Sequence, residues 1–254
     1  MNITWNADKY TADFSFVHQY GNGVIDLIDS DKVQTVLDLG CGNGALSKAL
    51  SDKGFSVTGI DASEELLNIA GKNYPDIQFF KEDATNFELN QPVDAVFSNA
   101  VFHWIDREKQ PDMLKCVYNA LNESGQFVFE LGGYGNNKLI HNELDKIFSE
   151  YGYSYKMPFY FPTIGEYSAL LEKAGFEVRY AVLFDRPTEL KGSNGLKDWI
   201  NMFIKTPFTN VDDNNRDVII NKAVENLYDT LYKNGIWYSD YVRLRMKAVK
   251  KTVI

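Results

Sequence analysis

The 254-residue chain is poor in cysteine, in positive charge and in long apolar runs, and each shortage removes a class of protein. Its two cysteines, Cys41 and Cys116, are too few and too far apart for a disulfide framework or a zinc site, and they fit a reducing cytoplasm. The formal net charge is −9, from 26 Lys and Arg against 35 Asp and Glu. Such a surface repels phosphate backbones, so no nucleic-acid partner is expected. The one basic run, Lys247 to Lys251, reads as a solvated strand edge. No stretch of about 18 apolar residues occurs, so no membrane span is expected. The opening residues lack the basic start and apolar run of a signal peptide, which again suggests a cytoplasmic protein. There is no internal repeat or low-complexity tract. What is present is an ordinary globular composition, 44% hydrophobic and 24% charged, in a chain long enough to bury a sizeable core.

Residues 1–31 read as an amphipathic helical segment, with Phe14, Val17, Tyr20 and Val24 at helical spacing. From there, short apolar runs alternate with helical patterns. Strands are expected at Val36–Leu39, Phe55–Ile60, Ile77–Lys81, Val93–Ser98 and Gln126–Leu131. Helices are expected at Asn43–Lys53, Ser63–Asn73 with Ser63 as N-cap, and Asp106–Leu121. Such alternation implies parallel strands joined by right-handed crossovers, in a doubly wound α/β sheet covered on both faces. Ligands of such sheets sit at the carboxyl ends of the strands. Further on, Asn137–Tyr151 and Thr163–Ala174 read as helices and Phe176–Phe184 as a strand. Residues 193–234 read as helical with a break at Thr206–Pro207. Val242, Leu244, Met246 and Ala248 alternate with Arg243, Arg245 and Lys247, the pattern of a half-buried strand returning to pair with 176–184. The expected organisation is one domain: a helical segment 1–31, a binding core 32–135, the remaining core and sheet 136–191 and 236–254, and a helical cap 192–235.

The strongest local motif is Asp38-Leu39-Gly40-Cys41-Gly42-Asn43-Gly44. Glycines between strand and helix allow a tight turn and a close ligand approach, and the helix start offers free N–H groups. Gly40, Gly42 and Ala45 even satisfy the dinucleotide pattern G-x-G-x-x-A. Asp61 ends the second strand, about 20 residues on, where a carboxylate accepts from two ribose hydroxyls. Adenosine is therefore expected, in either a nicotinamide dinucleotide or S-adenosylmethionine. Two acidic residues favour the second. Asp38, two residues before the first glycine, would repel a pyrophosphate and suits a ligand carrying an ammonium and a sulfonium. Asp83-Ala84, after the third strand, can read an adenine edge; the alternative for Asp83 is a turn residue.

Residues 36–50 (VLDLGCGNGALSKAL), 57–61 (VTGID), 82–84 (EDA) and 94–104 (DAVFSNAVFHW) together resemble class I S-adenosylmethionine-dependent methyltransferases. They look most like the small-molecule branch that includes trans-aconitate methyltransferase and the biotin-pathway carboxyl methyltransferase. WNADKY and FSFVHQYG near the start look like that branch too, and the clear resemblance spans roughly residues 5–135. It implies a Rossmann-like sheet of seven strands, the last antiparallel. It also implies site roles. Gly40, Cys41 and Gly42 should line the methionine part of the cofactor and Asp38 should orient its ammonium. Asp61 should hold the ribose, with Ala62 beneath the adenine and Asp83 and Ala84 at its edge. Asn99 and Ala100 should lie near the sulfonium, flanked by His103 and Trp104. Tyr10, His18 and Tyr20 are candidates to close over the ligands from the N-terminal segment.

Methyl transfer from a sulfonium is an in-line displacement in which the protein mainly aligns the reactants and excludes water. A carboxylate acceptor needs no base; a phenol, amine or carbon acceptor calls for one. His103 and His18 are the candidate bases, each with a packing role as the alternative. Tyr20, His103 and Tyr134 are candidates for the acceptor pocket. The aromatic stretch Tyr151–Phe161 either lines that pocket or packs a cap. Arg179 and Arg186 are candidate forks for an acidic acceptor, or surface residues. The expected partner is a small-molecule acceptor, bound by a monomer or homodimer. The competing readings are a non-catalytic binder of S-adenosylmethionine or its demethylated product, and an NAD-dependent oxidoreductase.

Overall fold

The computed structural model describes residues 16–251, with side chains from Gly21 onward. Helix α1 (Phe16–Ile25) precedes β1 (Thr35–Leu39), α2 (Ala45–Asp52), β2 (Ser56–Asp61), α3 (Glu64–Asn73), β3 (Gln78–Lys81) and β4 (Val93–Asn99). Then come α4 (Gln110–Ala120), β5 (Leu121–Gly132), α5 (Lys138–Glu150), α6 (Ile164–Lys173) and β6 (Phe176–Asp185). An excursion follows, made of β7 (Thr188–Leu190), α7 (Gly195–Phe203), α8 (Asp213–Asn226), α9 (Tyr228–Leu231), β8 (Tyr232–Lys233) and β9 (Ile236–Ser239), before β10 (Val242–Lys250) returns. The expected Ser63 cap forms, its Oγ accepting from the Leu66 N–H at 3.3 Å, and Gly175, at φ +98°, closes α6. The helix expected over Asp106–Leu121 divides, because Pro111 in the first turn of α4 starts a new helix after a short 3-10 turn.

Seven strands form one sheet in the order β3-β2-β1-β4-β5-β10-β6. The first five pair in parallel, while β10 runs antiparallel to both β5 and β6. This is the expected Rossmann-like sheet with its last strand reversed. Period-two alternation along the strands separates two cores. Leu37, Val96, Phe127 and Phe129 face α4 and α6, with Leu244 and Met246 of β10 in the same cluster. Val36, Phe97 and Val128 face the other way, against Val24 and Ile25 of α1 and Leu46 and Leu50 of α2. The excursion has its own cluster, in which Trp199 and Ile200 of α7 and Ile219 and Ile220 of α8 pack on Ile140 and Leu144 of α5.

Two expectations are corrected. The basic run is no solvated edge, since β10 lies between β5 and β6. Arg245 Nη1 donates to Gly23 O at 3.0 Å and Lys247 Nζ to Leu27 O at 2.8 Å. These bonds bring cations to the carboxyl end of α1, where unsatisfied carbonyls favour them. The excursion is also not wholly helical. β8 and β9 form a hairpin around Asn234 and Gly235, both at positive φ, and β7 joins them in a three-stranded antiparallel sheet. Asn-Gly is the preferred two-residue hairpin turn, so this feature was present in the sequence and overlooked.

Candidate functional site

The site is built at the carboxyl ends of β1, β2, β4 and β5. Leaving β1, Gly40 and Gly42 take φ +78° and +55°, a region that costs residues with a Cβ about 1–2 kcal/mol. A Cβ on Gly40 would lie 2.3 Å from Val101 Cγ2, so the loop presses on the chain leaving β4. A Cβ on Gly42 would meet only Leu66, at 4.0 Å, so this stretch of backbone faces open space. That space is a cavity of about 60 Å³ whose lining includes Asp38, Gly40, Cys41, Gly42 and Asp61, closed by Asn99 and Ala100 from the end of β4.

Two buried carboxylates face this cavity. Asp61 accepts from the Gly42 N–H at 2.9 Å and the Ser63 N–H at 2.8 Å. Asp38 accepts from Ser47 Oγ at 2.6 Å. Among the described residues no cation pairs with either. Burial pushes Asp38 up to about 7, against the Ser47 hydrogen bond and with some help from the Asp61 charge. Burial also raises Asp61, while the N–H groups of Ser63, Gly42 and Ala62 oppose it. A cationic ligand would relieve both; a pyrophosphate would not. Burial likewise pushes the Cys41 thiol up, which favours its neutral form.

Next to it lies a smaller cavity of about 30 Å³, lined by Ala62, Asp83, Ala84, Trp104 and Lys109 among others. Asp83 Oδ1 accepts from the Thr85 N–H at 2.8 Å and Oγ1 at 2.7 Å. These bonds, the backbone one first, hold it below the usual carboxylate range. The turn role and the place beside the cavity therefore coexist, with Oδ2 left over.

On the other side of Ala100 a third cavity opens, about 60 Å³, with Trp104, Phe159, Phe161, Trp199 and Phe203 as apolar walls. Its polar lining is His103, Asn136, Asn137, Tyr241 and Arg243. Ala100 lines both this cavity and the glycine-loop cavity, and Trp104 both this one and the Asp83 cavity. Ala100 is a non-glycine residue at φ +62°, held there by its N–H donating to Glu130 O at 2.8 Å. Strain kept at a junction of cavities points to a functional constraint.

His103 is buried, and its Nδ1 accepts from the Gly132 N–H at 3.2 Å. The ring proton is therefore on Nε2, which makes no hydrogen bond to the described residues. Burial first, and the Arg243 charge second, drive its pKa well below the ordinary histidine value. In this tautomer the ring offers a donor at Nε2. Trp199 Nε1 donates to Tyr241 Oη at 2.6 Å, fixing one wall.

Most sequence-predicted residues come together in these three cavities. Tyr134 does not: it is 60% exposed and lines an outer vestibule with Lys138, His141 and Met157, separated from the inner cavity by the stacked rings of Phe159 and Phe161. The Gly-Tyr-Gly turn carries it past the end of β5, its N–H donating to Pro162 O at 2.8 Å. Tyr10 lies outside the described residues; His18 and Tyr20 belong to α1, with side chains outside them. Arg179 is a surface residue paired with Glu177 at 2.7 Å. Arg186 joins Arg245 on the buried Glu130, at 2.7 and 2.8 Å. The aromatic stretch does both things asked of it, since Phe159 and Phe161 line the cavity while Tyr153 and Tyr155 pack on the excursion core. Sequence reasoning missed Asn136, Asn137, Trp199, Phe203, Tyr241 and Arg243. The two asparagines follow the carboxyl end of β5, where the strand-end rule could have found them. Arg243 lay hidden in the polar half of an alternating strand.

Comparison with known proteins agrees with this geometry. A family model for a methyltransferase domain matches residues 36–125. An uncharacterized methyltransferase of Schizosaccharomyces pombe is 31% identical over 97% of this chain and 98% of its own length. The chain belongs to the class I S-adenosylmethionine-dependent methyltransferases. Its cofactor is therefore S-adenosylmethionine, and the paired carboxylates of the glycine-loop cavity fit that cation. A trans-aconitate 2-methyltransferase from Agrobacterium fabrum is 32% identical, over 48% of this chain and 46% of that protein. In fold, the methyltransferase superposes on the YcgJ protein of Bacillus subtilis with TM-score 0.65 at 15% identity, covering 93% of this chain and 100% of that one.

Proposed function

We propose that this enzyme methylates a carboxylate oxygen of a small-molecule acceptor held in the aromatic cavity. The observation that carries the reading is the Gly132 N–H on His103 Nδ1. It leaves the one histidine among that cavity's described lining residues as a proton donor. The other titratable side chains there are Arg243, a cation, and Tyr241, whose hydroxyl is raised by burial and already accepts from Trp199. With no base among the described lining residues, the reading that fits is an acceptor that arrives with its nucleophile ionised, as a carboxylate does at neutral pH. The relative named for trans-aconitate, a carboxylic acid, supports the same class.

In this reading Asp38, Gly40, Cys41 and Gly42 hold the methionyl end of the donor and Asp61 the ribose. Ala62, Asp83 and Ala84 take the adenine, with Asn99, Ala100 and Trp104 between donor and acceptor. The donor supplies a methyl group on a sulfonium whose leaving group is a neutral thioether. The oxygen–carbon bond forms as the sulfur–carbon bond breaks, the electron pair stays on sulfur, and no proton moves. The chain's part is alignment and exclusion of water, the second through the walls that α7 contributes from the capping excursion.

The test is transfer of labelled methyl groups to a panel of small carboxylic acids. Label released as methanol by mild alkali is expected, because a methyl ester hydrolyses. Label that survives alkali on every product would overturn the carboxylate assignment.

A further inference from the structure

The polar lining of the aromatic cavity is one-sided. Arg243 of β10 is 5% exposed, and its guanidinium lies 4.3 Å from the centre of the Tyr241 ring. Its Nε is buried without a hydrogen-bond partner, and no carboxylate of the described residues pairs with the group. Glu130, the buried acid nearby, is already shared by Arg186 and Arg245. The other polar groups are donors as well. His103 presents Nε2–H. Asn136 Oδ1 is taken by the Val242 N–H at 3.0 Å and Asn137 Oδ1 by Ser239 Oγ at 2.6 Å, leaving their Nδ2 groups. A buried cation without a counter-ion is unfavourable unless a ligand supplies the charge. Around this one anion-binding end the walls are aromatic.

We infer that Arg243 is the anchor for the acceptor, and that the acceptor is a monocarboxylate on an apolar body. The inference rests on the proposed acceptor role of this cavity. The guanidinium fork holds the carboxylate beside Ala100 while Trp104, Phe159 and Phe203 enclose the body. A second carboxylate would lie against aromatic rings with no further cation among the described lining residues, so polycarboxylates are disfavoured. Methylation converts the anion to a neutral ester, which loses the ion pair and is released.

The experiment uses full-length enzyme saturated with S-adenosylhomocysteine. Phenylacetate, phenylacetamide and trans-aconitate are titrated at constant ionic strength. Fluorescence of Trp104 and Trp199 reports binding, and thermal melting gives a second readout. Phenylacetate is expected to bind at least about tenfold more tightly than either competitor. Arg243→Met should abolish its preference over the amide, and Arg243→Lys should restore part of it, with S-adenosylhomocysteine affinity unchanged in both. Equal binding of acid and amide to the wild type, stronger binding of trans-aconitate, or a preference that survives Arg243→Met would each overturn the inference. So would a loss of S-adenosylhomocysteine affinity in Arg243→Met while Arg243→Lys binds it normally, which would assign the guanidinium to the donor. If Arg243→Met does not fold, Arg243→Gln takes its place. Discrimination as expected, with no alkali-labile methyl transfer to any acid, would instead sink the carboxylate-methylating function and leave the anion site standing.

Discussion

The two cavities on either side of Ala100 are similar in size and opposite in character. The glycine-loop cavity is made by one continuous stretch plus two strand ends, and it presents two carboxylates. The aromatic cavity gathers side chains from β5–α5, the 159–161 segment, α7 and β10, and it presents donors and a guanidinium. One suits a cation and the other an anion. Placing opposite charges on the two sides of a strained residue favours bringing a sulfonium and a carboxylate together there and disfavours exchanging them.

Asp61→Ala should test the division most severely. It removes the acceptor of the Gly42 and Ser63 N–H groups, and S-adenosylhomocysteine affinity by calorimetry should fall at least about a hundredfold, roughly 3 kcal/mol. Tight binding retained in the mutant would break the assignment of that cavity to the donor. Gly40→Ala should be next, with a loss of about 2–3 kcal/mol from left-handed strain and the Val101 clash, read from the urea midpoint. Gly42→Ala, which meets no neighbour closely, should cost only the strain, about 1–2 kcal/mol.

Asp38 sharpens the comparison through pH. Its folded value, about 7, lies above the ordinary 3.8, so the ligand-free enzyme binds an extra proton between those values. Its contribution to stability is full below about 4 and is lost as pH rises through about 7. Binding of a cation favours the ionised form. Donor affinity should therefore climb up to about tenfold per pH unit below 7 and level off above, and Asp38→Asn should flatten the profile. A wild-type profile flat from pH 5 to 8 would remove Asp38 from the cation site. The mildest change is Trp199→Phe, which deletes the hydrogen bond to Tyr241, worth about 1 kcal/mol. Acceptor KM should rise several-fold with donor affinity untouched. A shift in donor affinity instead would mean that the two cavities are not separable.

The glycine-loop cavity was legible because its parts are local. Asp38, Gly40 and Gly42 are fixed relative to one another by a single strand-to-helix turn, and Asp61 by the parallel register that sets Asp38 opposite Gly59. The period of the apolar residues was enough to give the doubly wound sheet, while the reversal of its last strand followed from the family resemblance. The aromatic cavity was not legible for the opposite reason. Arg243 and Trp199 sit 44 residues apart and are joined only by how the excursion folds back; Arg243 and Gly132, 111 apart, meet by antiparallel register. Tyr134 shows the cost of reasoning from strand ends alone, since one turn carried it outside the Phe159–Phe161 partition.

By itself the sequence determined the donor, because a glycine loop and acidic strand ends read a ligand through backbone geometry that spacing along the chain encodes. Only the tertiary structure decided what the second cavity is. Alternation along β10 put Arg243 on a polar face, but whether that face meets water or aromatic walls depends on what packs over it. That packing turned a surface arginine into a buried cation awaiting a counter-ion.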